Sequence, residues 1–489
     1  MTLMDIGSQK QLFVDDYIIE SVTDTMRVMN PAVKAENNPV LAPERPWEGE
    51  MLYMSNVIYD SDDRIFKMWY AVRTFEPGDG DNPIVEGVAH HCFAVSEDGV
   101  NWERPNLGLV EFDGSTRNNI LPPTMGLGEG RDITPYFFRD PNESDPAKKY
   151  KGLVRTGSTT TPGMQIDLYF SPDTRAWTPY ENNPVIDTSP KVGRWGPTHF
   201  MGWDPIREVY AVHMENSLHR RSPMGKRLIG RAESPDMVHW GEAETIVVTD
   251  ELDPPDTEFY AMPVAAYEGI YVGILWIFRT TSTTHHPEIV FSRDGIRYDR
   301  PYREPFIPRG SGVEFDSVSI YSHEPIAQGD RIFTFYNAWN WRSPETWYAL
   351  GDKSQGAIGL GISRLDGFVS LDGVKGTATM GYASRSKVAE YSEMVTRSFS
   401  FTGSELHLNM QPALQQWGAG PCELRVEVLE PNHDYIEGYE FDDSDPITTD
   451  SVDHVASWNG GSDLSRLEGK AIKLRFYFKN AKLYSFRFR

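Results

Sequence analysis

The chain has 489 residues, and 71 acidic against 47 basic side chains leave a formal charge of −24. That balance argues against nucleic acid or an anionic membrane surface as partner, because their phosphates would be repelled. The length exceeds one ordinary core of roughly 100–200 residues, and 13 Trp, 23 Tyr, 24 Phe, 41 Gly and 34 Pro describe a turn-rich globular chain and not a disordered one.

The N-terminus, MTLMDIGSQKQLFVDD, has no basic stretch leading into an apolar one, so a soluble cytoplasmic protein is expected. The longest apolar runs, such as Ile270–Phe278, fall far short of the ~18 residues of a membrane helix. Cys92 and Cys422 stand alone, which gives neither a disulfide framework nor a thiolate zinc site. The segment Leu12–Glu20 precedes the first repeat and is read as a closing strand for the last one.

Five units follow. Each has an alternating strand, a turn rich in Asp, Gly or Pro, and a second aromatic strand. They begin at Met51 (MLYMSNVIYDSDDRIFKMWYAV), Asp132 (DITPYFFRDPNESDPAKKYKGLV), Thr198 (THFMGWDPIREVYAVHM), Glu258 (EFYAMPVAAYEGIYVGILWIF) and Asp316 (DSVSIYSHEPIAQGDRIFTFYNA). Period-two alternation broken by turn residues reads as β-hairpins. A second repeat closes each unit: Ser96–Trp102 (SEDGVNW), Ser171–Trp177, Ser234–Trp240, Ser292–Tyr298, and a degenerate Ser363–Phe368. The serines are 75, 63, 58 and 71 residues apart. Ser and Asp side chains bond nearby backbone N–H groups and make a tight turn, and the aromatic residue anchors it. The motif is therefore structural. Five such units predict an all-β chain, a five-bladed β-propeller over residues 1–380. Beyond the small, polar stretch near residue 380, strands at Ser398–Phe401, Leu406–Met410, Leu424–Leu429 and Ile472–Phe478 predict a C-terminal β-sandwich over 388–489. Its cationic ending, KLRFYFKNAKLYSFRFR, suits docking on an acidic propeller or on a second copy of the chain, a homo-oligomer through the sandwich.

Five blades, S-x-D-x-x-x-W turns in the form SPDMVHW, and a C-terminal sandwich resemble the glycoside hydrolases related to invertases, levanases and arabinanases. The resemblance implies hydrolysis or transfer of a fructoside- or furanoside-type unit, with a small carbohydrate as partner and no cofactor. In the fructan-cleaving members an Asp of the first blade is the nucleophile, an Arg-Asp pair of the second stabilises the transition state, and a Glu of the third is the general acid. Paired carboxylates around an oxocarbenium-like centre are what this chemistry needs. Here the first-blade Asp-Pro-Asn motif is missing and the third unit opens with Thr198-His199, without an acid. Of two Arg-Asp pairs, Arg131-Asp132 opens the second unit, whereas Arg139-Asp140 falls at its hairpin turn, so Asp132 is preferred.

In a propeller the innermost strands open onto one face, where ligands bind. Glu258 is expected there as general acid, Asp132 as charge stabiliser, and Asp316 or Glu50 as base or nucleophile. Carboxylates held close push their pKa values apart, giving one acid and one base. Trp47, Tyr260 and Tyr321 are expected against the sugar, with Arg131, His199 and Asp256 bonding its hydroxyls. Arg309 suits an anionic substituent such as a carboxylate. Adjacent His90-His91 and His285-His286 point to opposite faces, so no metal site is expected, while a carboxylate-bound Ca²⁺ stays open. Two other readings remain: a carbohydrate-binding propeller without catalysis, and a lyase on the same scaffold.

Overall fold

The structure, a computed structural model, describes residues 3–77, 84–122, 135–155, 165–187, 194–217, 225–342, 349–353, 355–373, 391–413 and 421–489. It is all-β, a propeller and a sandwich, divided into two compact units. One comprises residues 31–328 and 333–362; the other comprises 1–30, 329–332 and 363–489. Among the described residues no helix is long and apolar enough to cross a membrane.

In the larger unit each of the five sequence repeats folds as an antiparallel meander. The first contains Met51–Asp60, Ile65–Pro77 and Ile84–Ser96, and the second Tyr136–Arg139, Tyr150–Arg155 and Gln165–Ser171. The third contains Arg194–Asp204, Val209–Ser217, Ile229–Ser234 and Glu244–Val247, and the fourth Thr257–Ala261, Ile270–Arg279 and Thr284–Ser292. Ser319–Ser322, Arg331–Trp339 and Gly356–Arg364 make the fifth. Parallel bridges join the fourth to the fifth at His285–Ser319 and the fifth to the first at Gly356–Met51. Asn337 also clamps the first meander from the fifth, accepting from the Met54 N–H at 2.6 Å and donating to its carbonyl at 2.9 Å.

A recurring tie links neighbouring meanders. The Asp that opens each of the first three hairpin turns accepts from backbone N–H groups of its own turn and from a tyrosine hydroxyl of the next meander. Asp60 takes Tyr150, Asp140 takes Tyr210 at 2.9 Å, and Asp204 takes Tyr271 at 2.8 Å. A cation completes each: Lys67, Lys151 and Arg231. Asp140 is thereby a turn residue. Although burial works to raise it, hydrogen bonds from Lys67 and Tyr150 bring the Asp60 carboxyl down to about 2. A carboxylate depressed on folding stabilises above its unfolded pKa of about 3.9 and loses that contribution as pH falls through the folded value. The melting temperature of the wild type is therefore expected to fall more steeply between about pH 4 and pH 2 than that of Asp60→Asn; equal slopes in calorimetric melts would refute this role.

The four clear turn motifs share one geometry. In SEDGVNW, Ser96 Oγ accepts from Gly99 N–H at 2.9 Å and Asp98 from Val100 and Asn101 N–H at 2.8 Å. The fourth position is left-handed each time: Gly99 at φ 75°, Thr174 at 69°, Met237 at 67° and Gly295 at 74°. Where the residue is Gly a neighbour explains it, since a Cβ on Gly295 would lie 2.9 Å from the Tyr271 ring. The motif's Trp102 packs across onto Phe335 of the fifth meander.

The fifth, degenerate copy departs from this pattern. Asp366 accepts from Lys10, Asn409 and Ser485 in the smaller unit. The N-terminal segment departs likewise. Gln11–Leu12 pairs with Ser485–Phe486, and Ile19–Thr23 pairs with Ser392–Thr396. The apolar side chains of this segment explain it, because Phe13, Ile18 and Ile19 belong to the sandwich core with Phe476 and Phe486. Residues 1–30 and the strand Val369–Gly373 thus lie in the sandwich unit and not in the propeller, contrary to a boundary near 380. The edge of the fifth meander is taken instead by Val33–Lys34, opposite Gly361–Ile362. The sandwich has two antiparallel sheets. One runs Ser451–Val455, Leu406–Pro412, Ala481–Phe488, Val369–Gly373, Thr25–Met29, and the other Ile19–Thr23, Ser392–Thr396, Lys473–Lys479, Glu423–Leu429.

Candidate functional site

The starts of the strands Thr257–Ala261, Thr284–Ser292 and Ser319–Ser322 come together with the ends of Ile270–Arg279 and Arg331–Trp339. In Thr257–Ala261 the residues alternate, Thr257, Phe259 and Ala261 being buried while Glu258 and Tyr260 stay partly exposed. A strand places residues two apart on one face, so Glu258 and Tyr260 look out together. Phe259 on the other face fills a core with Leu275 and Ile277.

An aromatic arc runs from this strand. The Tyr260 ring lies 5.2 Å from His285 and 5.7 Å from Tyr321. Tyr321 is buried and stacks on Trp339 at 4.7 Å, and Trp339 stacks on Trp341 at 6.1 Å. Tyr53 meets Trp339 at 6.4 Å and carries the Arg73 guanidinium 4.5 Å above its own ring. Tyr260, Trp339 and Tyr53 are the partly exposed members, so they give the arc its accessible faces. Aromatic faces of this kind pack against the C–H faces of sugar rings while leaving polar groups at the rim.

The charged groups sit beside Tyr260. Arg227 pairs with Glu258, lies 3.6 Å from Glu215 and hangs 5.6 Å over both the Tyr260 and Phe278 rings. Its carbonyl accepts from Phe259 N–H at 3.1 Å, which fixes its place against the strand. Burial works to lower the Arg227 pKa, but the Glu258 hydrogen bond and the charges of Glu215 and Glu258 outweigh it and raise it. Two carboxylates from different meanders thus share one guanidinium. Asp256 pairs with Arg279, which holds its carboxyl below the usual range. His285 stacks on Phe278 at 4.4 Å and bonds Ser319 Oγ through Nδ1 at 3.1 Å. Burial, with help from His286, Arg227 and Arg309, pushes its pKa down to about 3, so the ring is neutral at physiological pH.

Of the residues singled out in the sequence, Glu258, Asp256, Tyr260 and Tyr321 lie in this group, and Arg309 borders it. His199 lies in a buried layer, its ring 4.8 Å from Trp276 and 5.6 Å from His323. Burial and His323 hold its pKa well below the ordinary value. With 8% of its surface exposed it backs the arc through Trp276 instead of presenting a hydroxyl-binding group. Asp316 is buried and committed to Lys34 at 2.6 Å and Tyr336 at 3.0 Å, a structural tie and not a base. Glu50 is exposed. Its neighbour Glu48 is fully buried, accepting from Tyr70, Arg104 and the N–H groups of Glu44 and Arg45. Trp47 donates to Asn119 at 2.9 Å and packs edge-on against Phe112, which makes it a packing residue. Arg131 and Asp132 lie outside the described residues.

Sequence reasoning does not reach Glu215, Arg227 or Trp276. Residues 210–215 are buried on both faces, so no polar–apolar alternation marks Glu215, and Arg227 lies in a loop beside Lys226 with nothing local to single it out. Among the described residues no three His, Cys, Asp or Glu side chains converge as a metal-binding group.

No protein-family model and no curated protein matches the chain. Solved structures are similar at low identity. One, a complex described as BT0996 with RGII, is 12% identical with a TM-score of 0.46, covering 76% of this chain and 95% of its counterpart. A GH130 structure, from a family said to contain glycoside hydrolases that target β-1,2 mannosidic linkages in Candida mannan, is 12% identical with a TM-score of 0.44, covering 72% and 96%. An N-acetylgalactosamine deacetylase from F. plautii is 14% identical with a TM-score of 0.41, covering 75% and 96%.

Proposed function

We propose that the chain is a glycoside hydrolase working at the Glu258–Tyr260 mouth. The observation that carries this reading is the pair Glu215 and Glu258 on one guanidinium at the foot of an aromatic arc. Glycoside hydrolysis needs two carboxyl groups beside a surface that holds a sugar ring, and this group supplies both. Glu258, the more open of the two and bound to Arg227, suits the base or nucleophile. This replaces the general-acid role expected from the sequence, because the Arg227 guanidinium occupies the Glu258 carboxylate. The more buried Glu215 is the proton donor in this scheme. Tyr260 and Trp339 hold the ring. A fructoside or furanoside is the first substrate class to try.

One observation favours a second reading. Arg227 engages the very carboxylates the reaction would use, as suits a carbohydrate-binding propeller that does not turn over. Incubating the protein with fructan, arabinan and pyranosidic oligosaccharides, with products followed by chromatography, separates the two. Hydrolysis of any one supports the enzyme. Binding without products across the panel overturns it in favour of the binding module.

A further inference from the structure

Arg309 differs from four other arginines of the larger unit. Arg227, Arg279, Arg300 and Arg303 each pair with an Asp or Glu. Among the described residues Arg309 has no carboxylate partner. It is exposed, and its Nη1 donates to the carbonyls of Ser317 at 3.4 Å and Val318 at 3.3 Å, which leaves Nε and Nη2 to other acceptors.

Those two carbonyls lie at the mouth. Val318 donates its N–H to the Trp339 carbonyl and accepts from His285 N–H, so the backbone that anchors Arg309 also seats Trp339 and His285. Arg342 follows Trp339 by three residues and is exposed. Burial and the charge of Arg342 together lower the Arg309 pKa. Like charges brought together repel, and in a chain with 71 acidic residues a counter-charge would be easy to place. Arg309 instead keeps its positive charge at the start of the strand Ser319–Ser322, whose Ser319 pairs with Trp339.

We propose that the mouth takes an anionic glycan, with the Arg309 fork binding the carboxylate of a uronic acid whose ring lies on Trp339. The planar guanidinium matches a carboxylate with two parallel N–H donors. The net charge of −24 repels polyanions in general, so a local cationic fork supplies what an acidic substrate needs to enter. This inference rests on the glycan reading above and names the class of glycan.

Titration calorimetry tests it, with trisaccharides of glucuronate, galacturonate and mannuronate, each paired with its neutral methyl ester, and with a galactose 6-sulfate oligosaccharide. At least one free acid is expected to bind wild type about tenfold or more tighter than its ester. The preference should shrink as salt rises, vanish in Arg309→Ala and survive in part in Arg309→Lys. Equal binding of acid and ester, or a preference unchanged in Arg309→Ala, overturns the proposal while leaving the glycan reading intact. A preference for the sulfated sugar alone, lost in Arg309→Ala, overturns the carboxylate assignment. Binding of no sugar, charged or neutral, overturns both readings.

Discussion

Glu258→Gln is expected to lower kcat by about 10²–10⁴-fold on whichever oligosaccharide the wild type hydrolyses, the usual contribution of a positioned acid–base group. The substitution keeps size and hydrogen-bonding capacity and removes the charge, so KM should change little. Loss of the base or nucleophile is felt whatever the leaving group. Glu215→Gln should behave differently. A proton donor matters most when the departing oxygen is basic, so this variant should lose a comparable factor on the natural linkage and far less on an aryl glycoside with an acidic phenol. Activity within a few-fold of wild type in Glu258→Gln would remove the residue from the reaction. A leaving-group dependence on Glu258 and not on Glu215 would exchange their roles. The Glu258→Gln change also deprives Arg227 of one of its two charged partners, so a melting curve beside the kinetics shows whether the protein itself is intact.

What was legible from the sequence follows from what each pattern encodes. The Ser-x-Asp turn is legible because its hydrogen bonds are local: Ser96, Asp98 and the N–H groups they hold lie within residues 96–101. The meanders are legible because period-two alternation acts along one strand. Glu258 and Tyr260 are legible for the same reason, lying on the partly exposed side of an alternating strand. What was not legible depends on partners distant in sequence. Asp316 reads like Glu258, an acid near a strand start, until Lys34 and Tyr336 are seen to hold it. The N-terminal strands are apolar enough for either unit, and only the tertiary pairing with Phe486 and Thr396 decides. Glu215 and Arg227 acquire meaning only when the fourth meander brings Glu258 to them. Local rules thus locate the mouth, and long-range pairing decides which acids face it and which are spent on the fold.

The largest loss of stability is expected for Asp204→Ala. Asp204 is fully buried and accepts from Arg231 Nη2 at 2.5 Å, from Tyr271 at 2.8 Å and from the N–H groups of Ile206 and Arg207. Arg231 is itself buried, with the His213 Nε2 3.3 Å from its Nη1. Burial holds the His213 pKa far down, and Arg231 adds to the effect, so the imidazole is neutral beside the guanidinium and brings no second positive charge. Removing Asp204 leaves the buried Arg231 with Glu233 alone, 2.8 Å from its Nε, as counter-charge, so the loss should lie at the lower end of the about 3–5 kcal/mol of a broken buried pair. Tyr271→Phe removes one hydrogen bond from the same carboxylate, leaves Arg231 paired, and should cost about 0.5–1.5 kcal/mol. The two effects share a group, so the double variant should be less destabilised than their sum. Urea unfolding followed by tryptophan fluorescence reads all three, with the unit of residues 31–328 and 333–362 as the transition of interest. If Asp204→Ala costs no more than Tyr271→Phe, the tie between the third and fourth meanders holds the propeller no better than an ordinary surface hydrogen bond. The expected ordering instead makes the repeated Asp–Tyr–cation group, at Asp60, Asp140 and Asp204, a main electrostatic hold between successive meanders.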